Sequence, residues 1–164
     1  MRVGLGYDIH PFESGLPLVL GGVRIPFEKG LEGHSDGDVL LHAIYDAMLG
    51  AAGLPDLGTL FPAGDPETKG IDSAKMAPRV LEAVRKKGLR LAQVDTVVIA
   101  EVPKLAPHAE AIRASLASVL GLYPSDIGFK MKSPEGLGAQ GASQGIPAQA
   151  VAPLTPETGH RLQD

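Results

Sequence analysis

The arrangement Asp8-Ile9-His10, then His34-Ser35-Asp36-Gly37-Asp38, then His42 constrains the fold more than any other feature of the chain. Burying so many ionisable groups near one place is costly unless an ion or a substrate compensates. Residues 3–10 read as a strand. Alternate strand residues face the same way about 6.7 Å apart, so Asp8 and His10 can converge on one ion. His42, read as helical, can close that site, which requires the strand end to lie against the start of a helix. Two imidazoles and one carboxylate leave a coordination position open, as in catalytic rather than structural metal sites. Asp38 lies one helical turn before His42 and reads as a helix N-terminal acid rather than a ligand. Asp46 either orients an imidazole or is a solvated helix residue.

A chain of 164 residues is long enough to hold one hydrophobic core without staples. It contains no cysteine, which excludes disulfides and thiolate-bound metals and leaves nitrogen and oxygen ligands. No secretory leader pattern opens the sequence, and no apolar run approaches the ~18 residues of a membrane span. The reading is a soluble, cytoplasmic protein without a membrane partner. A net charge of −4, with three Tyr, four Phe and no Trp, supplies no basic stripe or stacking platform for nucleic acid.

Beyond 3–10, residues 18–25 read as a second β segment broken at Gly21-Gly22, a hairpin signal. From Asp38, apolar residues recur at helical spacing, with Ser35 or Asp36 as N-cap and a stop near Gly50 or Gly53. Residues 55–70 are rich in Gly and Pro and read as a loop with at most a short turn of helix, a common carrier of function. A helix over 72–87 despite Pro78, a strand over 91–100, a helix over 109–120, and strands over 127–132 and 148–154 complete the expectation. The fold class is α+β: a single domain spanning 1–164, a mixed sheet with helices packed on one face, the last ten or so residues forming a polar tail.

Other local patterns have ordinary explanations. Gly136-Leu137-Gly138-Ala139-Gln140-Gly141 matches G-x-G-x-x-G, but Gly145 and Pro147 break the helix that should follow and too little chain remains for a dinucleotide fold. No P-loop motif occurs. Arg85-Lys86-Lys87 suits a helix C-terminus, and His108 and His160 read as surface residues.

The segments Gly6-Tyr7-Asp8-Ile9-His10, Gly21-Gly22-Val23-Arg24-Ile25-Pro26 and His34-Ser35-Asp36-Gly37-Asp38-Val39, with His42 and Asp46, resemble the 2-C-methyl-D-erythritol 2,4-cyclodiphosphate synthase family. The resemblance continues through Asp56-Leu57-Gly58, Leu60-Phe61-Pro62, Lys69-Gly70-Ile71-Asp72-Ser73 and Pro103-Lys104, to about Leu154. It implies conversion of 4-diphosphocytidyl-2-C-methyl-D-erythritol 2-phosphate to the cyclic diphosphate plus CMP, in non-mevalonate isoprenoid precursor synthesis. It further implies Zn2+ at Asp8, His10 and His42, and Mg2+ or Mn2+ with the substrate diphosphate at Glu135. The catalytic residues would be His34, helping to stabilise the transition state, and Ser133, offering a hydroxyl to the leaving α-phosphate. Substrate contacts would come from Asp8, His10, His34 and Ser35, from Asp56, Leu57 and Gly58, and from Phe61, Pro62, Ala63, Gly64 and Asp65. The cytidine end would meet Ala100, Glu101, Val102, Pro103, Lys104, Leu105 and Ala106, with Lys132, Ser133, Pro134 and Glu135. The family is a homotrimer with sites between neighbouring subunits.

Two departures stand out. Lys132 and Ser133 align with a Thr-Thr pair, so a hydroxyl is kept while Lys132 and Pro134 alter the strand end. In the segment lining the family's axial cavity, Ala139, Ala142 and Gln144 replace the aromatic, Arg and Glu that could hold an isoprenoid diphosphate. The resemblance therefore implies weak or no such binding, with residues such as Ile146 packing the trimer axis. The donor set also suits Fe(II). A metal-dependent phosphodiesterase and a non-catalytic ligand-binding oligomer are the competing readings.

Overall fold

The computed structural model describes residues 1–64, 66 and 68–157. In chain order these form β1 (Arg2–Ser14), the hairpin β2 (Leu18–Leu20) and β3 (Val23–Ile25), β4 (Lys29–Leu31), α1 (Val39–Ala51), the single turn α2 (Leu57–Leu60), α3 (Ala77–Arg85), β5 (Leu89–Leu91), β6 (Val94–Ile99), α4 (Ala109–Leu120), β7 (Ile127–Lys132), the single turn α5 (Gly138–Gly141) and β8 (Gly145–Pro156). The main sheet runs β4-β1-β8-β6-β7, with β5 paired to the far end of β8. β1 and β8 are antiparallel from Arg2 opposite Leu154 to Pro11 opposite Gly145, whereas β6 and β7 are parallel. The mixed sheet and the helices on one face match the expected class.

α1 is the keel. Most of its side chains are buried, Val39 to Ala51 included, because it lies under β1 and β8 while α3 and the β2–β3 hairpin close over it. Such a helix is apolar nearly all round rather than on one stripe. Its N-cap is Asp38, not Ser35 or Asp36 as expected. The Asp38 carboxylate accepts from the Leu41 N–H at 3.1 Å and from the Gly21 and Gly22 N–H groups at 2.9 and 2.6 Å. One buried side chain thus satisfies a helix terminus and ties the hairpin turn to it. Burial pushes its pKa up to about 6 against these three backbone donors, with Asp36 nearby adding to the rise.

The expected helix over 72–87 is a 3-10 turn, Ser73–Met76, running into α3. Pro78 sits in the first turn of α3, where its missing N–H would have had no partner. The expected strand over 91–100 is two strands, β5 and β6, separated at Ala92 and Gln93. β4, α2 and α5 are too short to leave a period in the sequence.

β1 inverts the usual alternation. Gly4 and Gly6 face α1, while Val3, Leu5, Tyr7 and Ile9 are 58, 72, 51 and 44% exposed on the opposite face. The inward glycines reflect backbone contact: a Cβ on Gly6 would stand 1.9 Å from the Ala43 carbonyl oxygen, and one on Gly4 1.9 Å from that of Ala47. This close approach delivers Asp8 and His10, next on the inward face of β1, to the first turns of α1. Ile146, expected at a trimer axis, is instead fully buried in the chain's own core.

Candidate active site

Asp8 and His10 from β1 meet His42 from α1, and one potential ligand atom from each lies within 4.8 Å of the others. Asp8 Oδ2 is 2.9 Å from His10 Nε2 and 3.0 Å from His42 Nδ1, and the two imidazole nitrogens are 3.3 Å apart. The His10 ring also hydrogen-bonds the backbone of Glu32, which leaves Nε2 free to face Asp8. Desolvation works against the Asp8 carboxylate, but hydrogen bonds and positive potential from His10 and His42 prevail and hold its pKa well below the carboxylate range. The hydrogen bond with Asp8 raises the pKa of His10, against partial burial. Two nitrogens and a carboxylate oxygen at this separation fit a divalent cation.

The three side chains line a cavity of about 300 Å³ together with His34, Ser35, Asp46, Leu57, Gly58, Phe61, Ala63, Thr68 and Met76. The His34 ring lies 3.3 Å from Thr68 Oγ1, and its carbonyl accepts from the Gly70 N–H at 2.8 Å. Phe61 is backed by the Arg79 guanidinium, 4.8 Å from its ring centre. Asp56 does not line this cavity: it caps α2, accepting from the Thr59 N–H at 2.9 Å and hydroxyl at 2.7 Å. Those bonds lower its pKa. Pro62 and Gly64 flank the lining residues without joining them, and the expectations for Asp65 and His160 lie outside the described residues.

Asp46 is neither of its two expected alternatives. Its carboxylate accepts from the Leu57 N–H at 2.7 Å, fixing the start of α2 beside the cavity. Desolvation raises its pKa. Ser73 was not singled out as a site residue, yet its hydroxyl lies 2.9 Å from His42 Nε2. A buried serine in a 3-10 turn leaves no pattern by which to find it.

Of the remaining expected contacts, Ala100, Pro103, Lys104, Leu105, Ala106, Lys132 and Ser133 line a second cavity of about 170 Å³ together with Met131, which was not expected, whereas Glu101, Val102, Pro134 and Glu135 do not line it. Beside it, Glu101 Oε2 accepts from the Ser133 hydroxyl at 3.0 Å and the Gly136 N–H at 3.3 Å. Ser133 Oγ accepts in turn from the Glu135 N–H at 3.0 Å. None of these residues lines the Asp8 cavity. Within one chain the expected site is therefore in two parts.

The sequence model of the YgbB family matches residues 1–155. The chain belongs to the YgbB family. Among curated members, the 2-C-methyl-D-erythritol 2,4-cyclodiphosphate synthase of Synechococcus sp. (strain JA-2-3B'a(2-13)) is 52% identical over 154 residues, covering 94% of this chain and 98% of that one. A solved 2C-methyl-D-erythritol-2,4-cyclodiphosphate synthase in its CDP-bound form superposes with a TM-score of 0.87 at 40% identity, covering 94% of this chain and all of that one. The same YgbB fold occurs in the bifunctional IspDF from Campylobacter jejuni, with a TM-score of 0.90 at 37% identity. This chain covers 43% of that longer protein, which in turn covers 96% of this one.

Proposed function

We propose that this YgbB-family chain is a 2-C-methyl-D-erythritol 2,4-cyclodiphosphate synthase. It closes 4-diphosphocytidyl-2-C-methyl-D-erythritol 2-phosphate on itself and releases CMP, acting as a phosphorus–oxygen lyase. The observation that carries this reading is the convergence of Asp8, His10 and His42 on the wall of a cavity of about 300 Å³, in a chain 52% identical to a synthase of that name. An oxygen of the 2-phosphate bonds to the β-phosphorus as the bond from that phosphorus to the CMP oxygen breaks, and the electron pair leaves with CMP. No water is consumed. Both reacting groups are anionic, so positioning and charge neutralisation dominate the chemistry. Tethering makes the attack intramolecular, worth effective molarities of about 10^5 to 10^8 M when well oriented.

Zn2+ held by Asp8, His10 and His42 would supply Lewis-acid polarisation of the β-phosphate, and Mg2+ or Mn2+ at Glu135 would neutralise the diphosphate. His34 and Ser35, on the same cavity wall, hold the erythritol phosphate end, and His34 stabilises the charge that develops there. By the family resemblance, Asp56, Leu57 and Gly58 would meet the diol-bearing sugar portions once the site is assembled, and Phe61 through Asp65 would form the substrate loop. Ala100 through Ala106, with Lys132, Ser133, Pro134 and Glu135, hold the cytidine diphosphate, and Ser133 donates to the departing phosphate.

The two cavities are completed by association into a homotrimer. The exposed Val3, Leu5, Tyr7 and Ile9 face of β1 supports this, because contiguous apolar surface of that kind marks an interface. The assembled enzyme works in the cytoplasm on a small-molecule substrate, without nucleic acid or membrane partners.

Incubation with the diphosphocytidyl substrate is expected to give equimolar CMP and cyclic diphosphate. A linear diphosphate product would instead identify a phosphodiesterase, and no turnover a binding protein. Mixing inactive Asp8→Ala and Glu135→Ala proteins under subunit exchange should restore activity. Mixed trimers without recovery would place the whole site in one chain.

A further inference from the structure

Ser133 follows directly on β7, and its hydroxyl is the donor that the proposed reaction offers to the departing phosphate. Its one hydrogen is already committed. Ser133 Oγ donates to Glu101 Oε2 at 3.0 Å, and the same carboxylate oxygen accepts from the Gly136 N–H at 3.3 Å. The backbone is left-handed at both Glu135 and Gly136, with φ of 52° and 75°, and this turn carries the Gly136 N–H back to the oxygen that Ser133 also reaches. A hydroxyl has a single hydrogen to donate, so Ser133 cannot serve Glu101 and a phosphate together.

The surroundings favour an incoming anion. Lys104 and Lys132 line the adjoining cavity with Ser133. Among the described residues neither lysine forms an ion pair, and Glu101 forms none. The turn has bonds of its own: the Glu135 N–H donates to Ser133 Oγ at 3.0 Å, and the Leu137 N–H to the Pro134 carbonyl at 3.0 Å. Removing the Glu101 carboxylate therefore frees two donors beside two cationic side chains without dismantling the turn that holds them. A phosphate oxygen accepts the same charge-assisted bonds that Glu101 now holds.

The structure assigns Glu101 as a positioning residue that stands in for the leaving phosphate. Its carboxylate keeps the Ser133 hydroxyl and the Gly136 N–H aimed at one point, gives them up when the phosphate next to cytidine arrives, and retakes them as CMP departs. The exchange favours product release, because bound CMP must hold donors for which Glu101 competes. This rests on the reading above that the cavity beside Lys104 and Ser133 takes the cytidine end, and it makes Glu101 a competitor there rather than a contact.

The test is calorimetric titration of the full-length protein with CMP and with cytidine, which lacks the phosphate. Glu101→Ala should bind CMP about 3- to 10-fold more tightly than wild type, the worth of one competing hydrogen bond, with cytidine affinity unchanged. Glu101→Gln keeps an acceptor for the turn but loses the charge, so it should give a smaller gain in the same direction, and it serves as the second probe if Glu101→Ala does not fold. In a Ser133→Ala background most of the gain should vanish, since the two side chains act on one bond. In turnover, inhibition by CMP should strengthen by the same factor as the binding. Unchanged or weaker CMP binding in the folded Glu101 variants would overturn the assignment. So would an equal gain with and without the Ser133 hydroxyl, which would show charge repulsion alone, or a gain for cytidine as large as that for CMP. A wild-type protein that binds neither CMP nor cytidine would overturn the cytidine-site reading itself, and the assignment with it.

Discussion

Gly6→Ala is the substitution expected to separate Asp8 and His10 from His42 without touching any of them. The added Cβ would stand 1.9 Å from the Ala43 carbonyl oxygen and 2.7 Å from the Ala47 amide nitrogen, both backbone atoms of α1. An ordinary contact begins near 3.4 Å, so β1 and α1 must part locally by about 1.5 Å. Asp8 lies two residues along the same strand face, and its carboxylate is 3.0 Å from His42 Nδ1; a displacement of that size takes it out of reach of a shared ion. Overpacking of this kind costs about 1–3 kcal/mol, more where backbone rather than side chain must yield. Urea unfolding should show a lower midpoint with an unchanged slope, and calorimetric titration should show weakened zinc binding. Gly50→Ala is the matched control. Gly50 lies in the same helix with nothing within 4 Å of its would-be Cβ, so alanine there should be neutral or add up to about 1 kcal/mol. Equal stability and zinc affinity for Gly6→Ala and wild type would refute the claim that backbone contact between β1 and α1 sets the site geometry.

Asp8→Ala, His10→Ala and His42→Ala should each lose bound metal and cyclisation together, measured by elemental analysis and CMP release, whereas His108→Ala should lose neither. Asp46→Ala strips the Leu57 N–H of its acceptor and should cost about 1–3 kcal/mol, with a higher KM from a loosened α2; an unchanged melting temperature and KM would contradict that role. Leu5→Lys places a charge on the 72%-exposed outer face of β1 and should yield monomers by light scattering, while the metal site of each chain is retained. Titration with farnesyl diphosphate, with the cytidine site blocked by CDP, should give no stoichiometric binding.

The convergence of Asp8, His10 and His42 was legible because each part of it follows a local rule. Asp8 and His10 obey the strand period, His42 sits within the helical run that begins after Asp38, and Gly21-Gly22 marks the hairpin. Side chains whose role depends on a distant partner were not legible. The place of Asp38 at the helix N-terminus was read from the sequence and is borne out, but the two hairpin N–H groups it also accepts from were not. Asp46 is committed to Leu57, and Ser73 reaches His42 from 31 positions away. The outward apolar face of β1 was hidden for a different reason: its inward positions are glycines chosen for backbone approach, so the alternation reads the same whichever side is buried.

The central claim is that the bond to the β-phosphorus is made by the substrate's own 2-phosphate. Turnover in oxygen-18 water, followed by mass spectrometry of both products, tests it directly. Intramolecular closure predicts that neither CMP nor the cyclic diphosphate acquires the label, and that both appear in equal amount. One oxygen-18 atom in CMP or in a linear phosphorylated product would show that water attacks instead, and the account of this site as a cyclising one would be wrong.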